Sequence, residues 1–339
     1  MPPTTGRNTK RGRGHDRPSN LRRRRVSGVT LVTGAAGFAG SHVVQALAGR
    51  GKSIVAWSHS RQPPEEVASL ATWEQLDLLD RDAVRAAITR LKPAEVFHCA
   101  GASDVARSWK DTVTPLAINV LATHRLLDAL GRTGSRCRVV IPGSATVYAP
   151  SSEPLREDSL IAPASPYAVS KLAQEQLAIR AAHEDGIEVI VTRSFNHAGP
   201  RQSAAFAASN MARQVALIER GASEPVIKVG NLEAQRDLTD VRDVARAYVA
   251  LMDRGTSSAV YNVCSGLAHS IRSVLDTLVA RARVAVRVET DPALLRPTDI
   301  PVLLGDSARI RAATGWTPQI SFDQTLDDLL NYWRSAALA

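Results

Sequence analysis

Two side chains four positions apart in this sequence could move a proton. Tyr167 and Lys171 stand in SPYAVSK, at the start of a segment whose pattern predicts a helix over 165–183. Side chains four residues apart lie on one face of a helix. A free tyrosine has a pKa near ~10, and a neighbouring ammonium favours the phenolate and lowers that pKa toward neutrality. The pair could therefore act as a proton shuttle, and Lys171 could also reach a cofactor ribose.

A serine and a glycine-rich turn add to this signal. Ser144 follows the run RVVIPG at the end of a predicted strand, where its hydroxyl can hold a substrate oxygen beside the phenol. TGAAGFAGSH places Gly34, Gly37 and Gly40 between the run VTLVT and a predicted helix. Such a helix presents free N–H groups and a positive dipole end to a pyrophosphate. Gly34 permits the tight turn, Gly37 leaves room for the pyrophosphate, and Gly40 lets helix and strand pack closely, so we expect a bound dinucleotide.

The end of the second predicted strand indicates which dinucleotide binds. The segment AWSHSRQ contains no acidic residue that could hold the ribose 2′-hydroxyl of NAD. Arg61 is available instead to pair with the 2′-phosphate of NADP. The sequence therefore favours NADP, with NAD as the alternative; Arg61 could also be an ordinary solvated arginine.

These residues need a scaffold, and the order of the predicted elements indicates one. Strands are expected near 29–33, 53–57, 95–99, 138–144 and 187–194, separated by helices. This alternation is typical of right-handed βαβ units. The predicted fold class is α/β, a Rossmann-type doubly wound parallel sheet with a smaller mixed α/β C-terminal lobe. The expected organisation is an NADP-binding domain at 28–195, later segments near 236–264 that return to it, and a mainly substrate-binding lobe at 196–339.

The charge of the chain lies almost entirely at its start. Residues 1–27 carry nine Lys and Arg against one Asp, so nine minus one gives +8 of the formal net charge of +9. We expect this tail to be disordered; it is either a handle for nucleic acid or a solvated extension. The three cysteines have no paired spacing, and no apolar run approaches the ~18 residues of a membrane span. A cytoplasmic protein without a metal site or membrane contact is expected.

Longer strings in the sequence resemble a known family. TGAAGFAGSH, DLLD, FHCAG, SATVY, SPYAVSK and RSFNHAGP are similar to the extended short-chain dehydrogenase/reductases that act on nucleotide sugars. SFNHAGPRQ, VGNLEAQRDLTDVRDVARAYV, YNVCSG and LLRPTDIP resemble most closely the branch that contains GDP-mannose 4,6-dehydratases and GDP-6-deoxy-hexose reductases. The resemblance covers about 26–333 and implies a homodimer or homotetramer.

The resemblance also implies roles for individual residues. The expected cofactor-binding residues are Gly34, Gly37, Phe38, Ala39, Gly40, Arg61, Asp77, Leu78, Ala100, Tyr167, Lys171 and His197. The expected substrate-binding residues are Ser144, Asn196, Arg236, Arg296 and Asp299, and the expected catalytic residues are Ser144, Tyr167 and Lys171. The arginines suit a diphosphate, which prefers forked, permanently charged donors. As alternatives, Arg236 could pair with Asp237 or Asp240, and His98 could be a hydrogen-bonded strand histidine.

The residues after Ser144 indicate which reaction of the branch is expected. A 4,6-dehydratase needs a carboxylate there to remove the C5 proton, but this chain has Ala145 and Thr146. A reductase needs no such base, so we expect reduction of the C4 ketone of GDP-4-keto-6-deoxy-D-mannose to GDP-D-rhamnose or its C4 epimer. A nucleotide-sugar 4-epimerase and a GDP-mannose 4,6-dehydratase remain alternatives. A non-catalytic NADP-sensing or RNA-associated protein is a further one, although it would have no use for an intact Ser, Tyr and Lys.

Overall fold

The computed structural model describes residues 28–59, 62–294 and 300–336. The strands are β1 Thr30–Thr33, β2 Ile54–Ser58, β3 Thr72–Gln75, β4 Glu95–His98, β5 Arg138–Ser144, β6 Glu188–Ser194, β7 Asn196–Ala198, β8 Val226–Val229, β9 Gln235–Asp240, β10 Val260–Val263, β11 Ala268–Ser270, β12 Arg287–Thr290 and β13 Val302–Leu303. The helices are α1 Phe38–Ala48, α2 Glu65–Ala68, α3 Arg81–Leu91, α4 Val105–Lys110, α5 Val113–Pro115, α6 Ala122–Arg132, α7 Pro166–Glu184, α8 Ala207–Glu219, α9 Val241–Arg254, α10 Ile271–Ala280, α11 Ala308–Thr314 and α12 Phe322–Ala336. A π-helical segment, Leu116–Leu121, joins α5 to α6.

A seven-stranded sheet forms the centre of the larger lobe. Its order is β10-β6-β5-β4-β1-β2-β3, and every pairing in it is parallel. The order reverses between β1 and β4, and open α/β sheets bind ligands in the crevice beyond the carboxyl ends of the strands at such a point. The fold therefore brings the ends of β1, β4 and β5 to one edge.

Helices cover both faces of this sheet because its strands are apolar on both sides. On one face, Val43, Val44 and Leu47 of α1 pack with residues of α9 and α11. On the other face, apolar side chains of α3, α6 and α7 pack against β1, β4 and β5. The helix α7 begins where the Ser165 hydroxyl accepts a hydrogen bond from the Ala168 N–H, followed by a proline in the first turn.

The C-terminal lobe has its own small core and two short sheets. Helices α8, α10 and α12 pack together around β8. One sheet contains β11, β9 and β13, with β7 also paired to β9, and the other pairs β12 with β8. Of the segment expected to return to the large sheet, β10 pairs with β6 and α9 packs on α1, whereas β9 belongs to the small sheet. The domain boundaries themselves stay a prediction.

The expected fold class is confirmed. The five predicted strands are β1, β2, β4, β5 and β6, each within about two residues of its predicted bounds. The strand β3, the short helices α2 and α4 and the two small sheets were not predicted. No helix among the described residues has the length and apolar character needed to cross a membrane.

Candidate active site

A cavity of about 800 Å³ lies between the carboxyl edge of the large sheet and the C-terminal lobe. The predicted residues that line it are Gly34, Gly37, Phe38, Ala39, Gly40, Asp77, Leu78, Ala100, Ser144, Tyr167, Lys171, Asn196, His197 and Arg236. The fold thus collects, around one space, side chains that are up to 200 residues apart in the chain. Arg61, Arg296 and Asp299, also predicted as binding residues, lie outside the described residues.

The glycine turn is packed so closely that side chains would not fit. Gly34 has φ +61°, and a Cβ there would lie 2.6 Å from the backbone N and Cα of Ala100. A Cβ on Gly40 would lie 2.9 Å from the Gly34 carbonyl carbon and 3.0 Å from Ala35 Cα. The turn therefore lies directly against both β4 and α1, and the first N–H groups of α1 border the cavity. This arrangement fits a dinucleotide pyrophosphate.

Ser144 and Tyr167 meet at the sheet edge. The Ser144 Oγ lies 2.9 Å from Thr146 Oγ1, and it also accepts a hydrogen bond from the Thr146 N–H at 3.3 Å. Burial raises the pKa of Tyr167 above its usual value, and hydrogen bonding with Ser144 partly offsets this effect. The expected lowering by Lys171 is not seen in this structure. A protonated phenol is the form that can donate a proton to a developing alkoxide.

Lys171 is buried and held by two oxygen atoms. Its Nζ donates hydrogen bonds of 2.8 Å to the carbonyl of Pro142 and to Gln174 Oε1. Burial lowers the pKa of Lys171 to about 8, and the Cys99 sulfur acts in the opposite direction. A lysine with this pKa is still mostly charged at neutral pH, so it can donate hydrogen bonds to a ligand in the cavity.

An aromatic stack connects the glycine turn to the segment after β6. The rings of Phe38 and His197 are stacked, with centroids 5.6 Å apart and an interplanar angle of 8°. The edge of His42 meets the same phenyl ring. Burial lowers the pKa of His197, which favours the neutral imidazole. A neutral, stacked histidine can border an uncharged or oxidised nicotinamide without electrostatic cost.

Arg236 lies on β9 and is one of the residues that line the cavity. Its Nη1 donates to the carbonyls of Gln235 at 2.8 Å and Ile300 at 2.7 Å. Asp237 accepts its hydrogen bonds from Ser265, Gly266 and Thr239, and Asp240 accepts from Arg242 and Thr325. Among the contacts between described residues, Arg236 pairs with neither aspartate.

The alternative for His98 is also resolved. His98 is fully enclosed, with Nδ1 2.8 Å from Thr33 Oγ1 and Nε2 2.9 Å from Thr123 Oγ1, and burial lowers its pKa to about 3. It is a hydrogen-bonded strand histidine. Asp243, in the first turn of α9, accepts hydrogen bonds from the backbone of Gln319 and Ile320.

The sequence did not identify two cationic residues of the cavity wall. Arg201, in HAGPRQ, has φ +71° and donates to His42 Nδ1 at 2.8 Å and to Gln45 Oε1 at 3.0 Å. Lys228 lines the cavity from the middle of β8. The position of Arg201 directly after Gly-Pro is a sequence signal that could have identified it. The second depends on where β8 lies in the lobe, which no local pattern reveals.

Comparisons with known proteins agree with this geometry. The GDP-mannose 4,6 dehydratase family matches residues 31–329. GDP-6-deoxy-D-mannose reductase of Pseudomonas aeruginosa is 36% identical over 308 residues, which is 90% of this chain and 97% of that protein.

Solved structures extend the likeness to the fold. The structure of RMD from Pseudomonas aeruginosa complexed with NADPH superimposes with a TM-score of 0.79 at 33% identity, covering 91% of this chain and all of the other. A UDP-glucose 4-epimerase from Thermus thermophilus in complex with NAD gives a TM-score of 0.81 at 28% identity, over 91% and 99% of the two chains. The chain described here belongs to the GDP-mannose 4,6 dehydratase family.

Proposed function

We propose that this protein reduces the C4 ketone of GDP-4-keto-6-deoxy-D-mannose with NADPH, giving GDP-D-rhamnose or its C4 epimer. The observation that supports this most is the grouping of Ser144, Tyr167 and Lys171 around one cavity beside the glycine turn. The likeness to a GDP-6-deoxy-D-mannose reductase over 90% of the chain supports the substrate class.

The proposed roles are supported by this grouping of residues. Bound NADPH supplies the hydride, and the glycine turn with the first N–H groups of α1 holds its pyrophosphate. Ser144 orients the substrate ketone by a hydrogen bond, and Tyr167 donates a proton to the oxygen as charge develops on it. Lys171 remains charged and binds the cofactor ribose. Asn196 and Arg236 bind the nucleotide diphosphate part of the substrate, and for Arg296 and Asp299 the same role stays a prediction.

The acid–base role of Tyr167 can be tested by one substitution. Tyr167→Phe removes the proton donor and keeps the ring, so kcat should fall about 10²–10⁴-fold while the Kd for NADPH changes little. Leu160→Ala, at an exposed side chain outside the cavity, is a matched control and should keep normal turnover. Near-normal turnover by Tyr167→Phe would disprove the assignment.

Dehydration of GDP-mannose is the first alternative, and the cavity argues against it. Among its described lining residues the only carboxylates are Asp77 and Asp104. Asp104 caps α4, where its carboxylate accepts a hydrogen bond from the Arg107 N–H, and Asp77 lies at the expected adenine end. Ala145 and Thr146 follow Ser144 where a base is required, and neither a methyl group nor a hydroxyl can act as that base at neutral pH.

A 4-epimerase is the second alternative, and the Ser144–Thr146 hydroxyl pair is compatible with it, since an epimerase, like a reductase, needs no acid there. An epimerase keeps its cofactor through a cycle, whereas a reductase consumes one NADPH for each ketone. Loss of NADPH absorbance that matches product formation mole for mole supports the reductase. Interconversion of two 4-hydroxy sugars with no net NADPH loss would favour the epimerase.

The cofactor is NADP, with NAD as the weaker alternative, because the second strand ends without an acidic residue and Arg61 follows. Arg61→Ala should raise the KM for NADPH far more than the KM for NADH. Equal effects on the two cofactors would show that Arg61 is merely solvated.

We also propose a cytoplasmic, self-associating enzyme. All three cysteines are free thiols, which fits a reducing compartment. Trp109, Val113, Leu116 and Val169 expose apolar side chains along α4 to α7, with exposed fractions of 47–72%. Light scattering should give the mass of two or four chains, and a monomer at micromolar concentration would contradict this proposal.

A further inference from the structure

Lys171 is held from one side by a glutamine on the next turn of its own helix. Gln174 is 1% exposed, and its Oε1 accepts the 2.8 Å hydrogen bond from Lys171 Nζ. Because the other acceptor is the Pro142 carbonyl, a backbone group, Gln174 is the only side chain among the described residues that hydrogen-bonds this amine. An ammonium has three N–H bonds. The two acceptors engage two of them, which leaves the third for a ligand in the cavity.

Gln174 is itself fixed by a buried chain of hydrogen bonds. Its Nε2 donates to Thr123 Oγ1 at 2.8 Å, and Thr123 in turn donates to the Asn119 carbonyl at 2.7 Å. With its hydrogen committed in this way, Thr123 can only accept from His98 Nε2, so His98 Nδ1 accepts from Thr33. The donor and the acceptor of each hydrogen bond in this series are therefore fixed, which leaves a single orientation for the Gln174 amide.

The chain ends at the cofactor side of the cavity. Thr33 Oγ1 accepts from the Ala100 N–H at 3.3 Å, directly before the Gly34 turn. The hydrogen-bond chain therefore joins α7, α6, β4 and β1, which are the elements that hold the two ends of the site. The buried His98 thereby links β4 to both α6 and β1.

We propose that Gln174 is a positioning residue that fixes Lys171 for hydride transfer, and that the Thr123–His98–Thr33 chain fixes Gln174. This inference rests on the proposed function of Lys171. Replacing Gln174 should change the charge state and orientation of the amine while leaving the groups that touch the substrate in place.

Other titratable groups near the amine are few. Cys99 and His98 face it from the end of β4, and Tyr167 from its own helix. Charged residues on the elements packed against α7 include Arg193, which pairs with Glu175, Arg138, which pairs with Glu188, and Asp128, which pairs with Arg85 and Arg132. The remaining ones on α4 and α6 are Arg107, Lys110 and His124, which are exposed, and Arg125, which is half-buried. His98 stays neutral above acidic pH, so the acceptor at position 174 should dominate any change.

Two substitutions separate positioning from simple structural damage. Gln174→Met removes the acceptor and should lower the pKa of Lys171 by about one pH unit or more. Gln174→Glu keeps an acceptor and adds a negative charge, so that pKa should rise by a similar amount. Both variants lose the hydrogen bond that Gln174 donates to Thr123. Damage to this series of hydrogen bonds alone would therefore change the pKa of Lys171 in the same direction in both variants. Gln176→Met and Gln176→Glu, at an exposed position of the same helix, should leave the pKa unchanged.

The direct measurement is NMR of protein labelled with ¹³C at lysine Cε. The chain has six lysines, and the Lys171 signal is the one lost in Lys171→Arg. Opposite movement of its titration midpoint in the two Gln174 variants supports the proposal; no movement, or movement in one direction only, overturns it. This measurement does not require turnover, so it stands even if the keto sugar proves not to be the substrate. In the reductase assay, the alkaline limb of kcat/KM should move in the same two directions, with little change in the KM for the sugar.

Discussion

Gly40 is the position where the structure predicts a large effect from one added methyl group. A Cβ there would lie 2.9 Å from the Gly34 carbonyl carbon and 3.0 Å from Ala35 Cα, and closer still to the Gly34 carbonyl oxygen. These are backbone atoms, so no side-chain rotation can relieve the contact. Ordinary carbon–carbon separation is about 3.5–4.0 Å, so Gly40→Ala must move the turn away from α1 by roughly 0.5–1 Å.

That displacement has a calculable consequence for the cofactor. A hydrogen bond of about 2.9 Å to the pyrophosphate stretched by this amount passes beyond useful length. One hydrogen bond to a charged group is worth about 1.5–3 kcal/mol, so the Kd for NADPH should rise about 10- to 150-fold. Overpacking should also lower the free energy of unfolding by about 1–3 kcal/mol.

Gly49→Ala, at the C-terminal cap of α1, is the matched control. Gly49 has φ −60°, and the nearest atoms to an added Cβ are 3.7 Å away. NADPH affinity should stay normal, and stability should be unchanged or rise by about 0.4–1 kcal/mol. Fluorescence titration of NADPH with all three proteins measures the effect. Wild-type affinity in a folded Gly40→Ala, or equal weakening in both variants, would refute the argument.

Three further outcomes are expected. Glu175→Met leaves the buried Arg193 guanidinium without its two-bond partner and should cost about 3–5 kcal/mol in chemical denaturation; Glu184→Met, at an exposed ion pair on the same helix, should cost at most about 1 kcal/mol. Because burial lowers the pKa of His98 to about 3, its contribution to stability is present above its unfolded pKa near ~6.5 and is lost as the pH falls toward 3. The free energy of unfolding of a His98→Gln variant should therefore depend less on pH between these values. An unchanged pH dependence would contradict the assignment. Deleting residues 1–27 should abolish salt-sensitive retention on heparin while leaving turnover intact, and full-length protein that is not retained at low salt would exclude the nucleic-acid handle.

The elements that the sequence predicted are those with strong local patterns. Runs of β-branched residues, separated by long segments with helical periodicity, predict the strands of the large sheet, because burial on both faces of the sheet requires apolar residues. The strand β3, TWEQ, is half-exposed and polar, so its pairing with β2 depends on contacts that no local pattern shows. The π-helical segment Leu116–Leu121 was not predicted either, and its Asn119 makes hydrogen bonds with Ala102 and Ser170, 17 and 51 residues away in the chain.

The candidate site likewise has parts that local sequence patterns predict and parts that they do not. The glycine turn and the Tyr167–Lys171 pair follow from spacing, because a turn and a helix are local structures. The environment of the pair could not be predicted: burial raises the phenol's pKa, and hydrogen bonding with Ser144, rather than the amine, partly offsets this effect. The sequence did not predict the proposed positioning role of Gln174, three residues after Lys171, because that role depends on a hydrogen bond with Thr123, 51 residues away in the chain.

Transfer of labelled hydride to the substrate tests the central claim most directly. The purified protein is incubated with GDP-4-keto-6-deoxy-D-mannose and NADPH carrying deuterium at the transferred position, and separately with GDP-mannose and NADP. The account predicts one deuterium at C4 of a GDP-6-deoxy-hexose, whose configuration NMR assigns, and no 4-keto-6-deoxy product from GDP-mannose. Efficient dehydration of GDP-mannose, or no deuterium at C4, would contradict it.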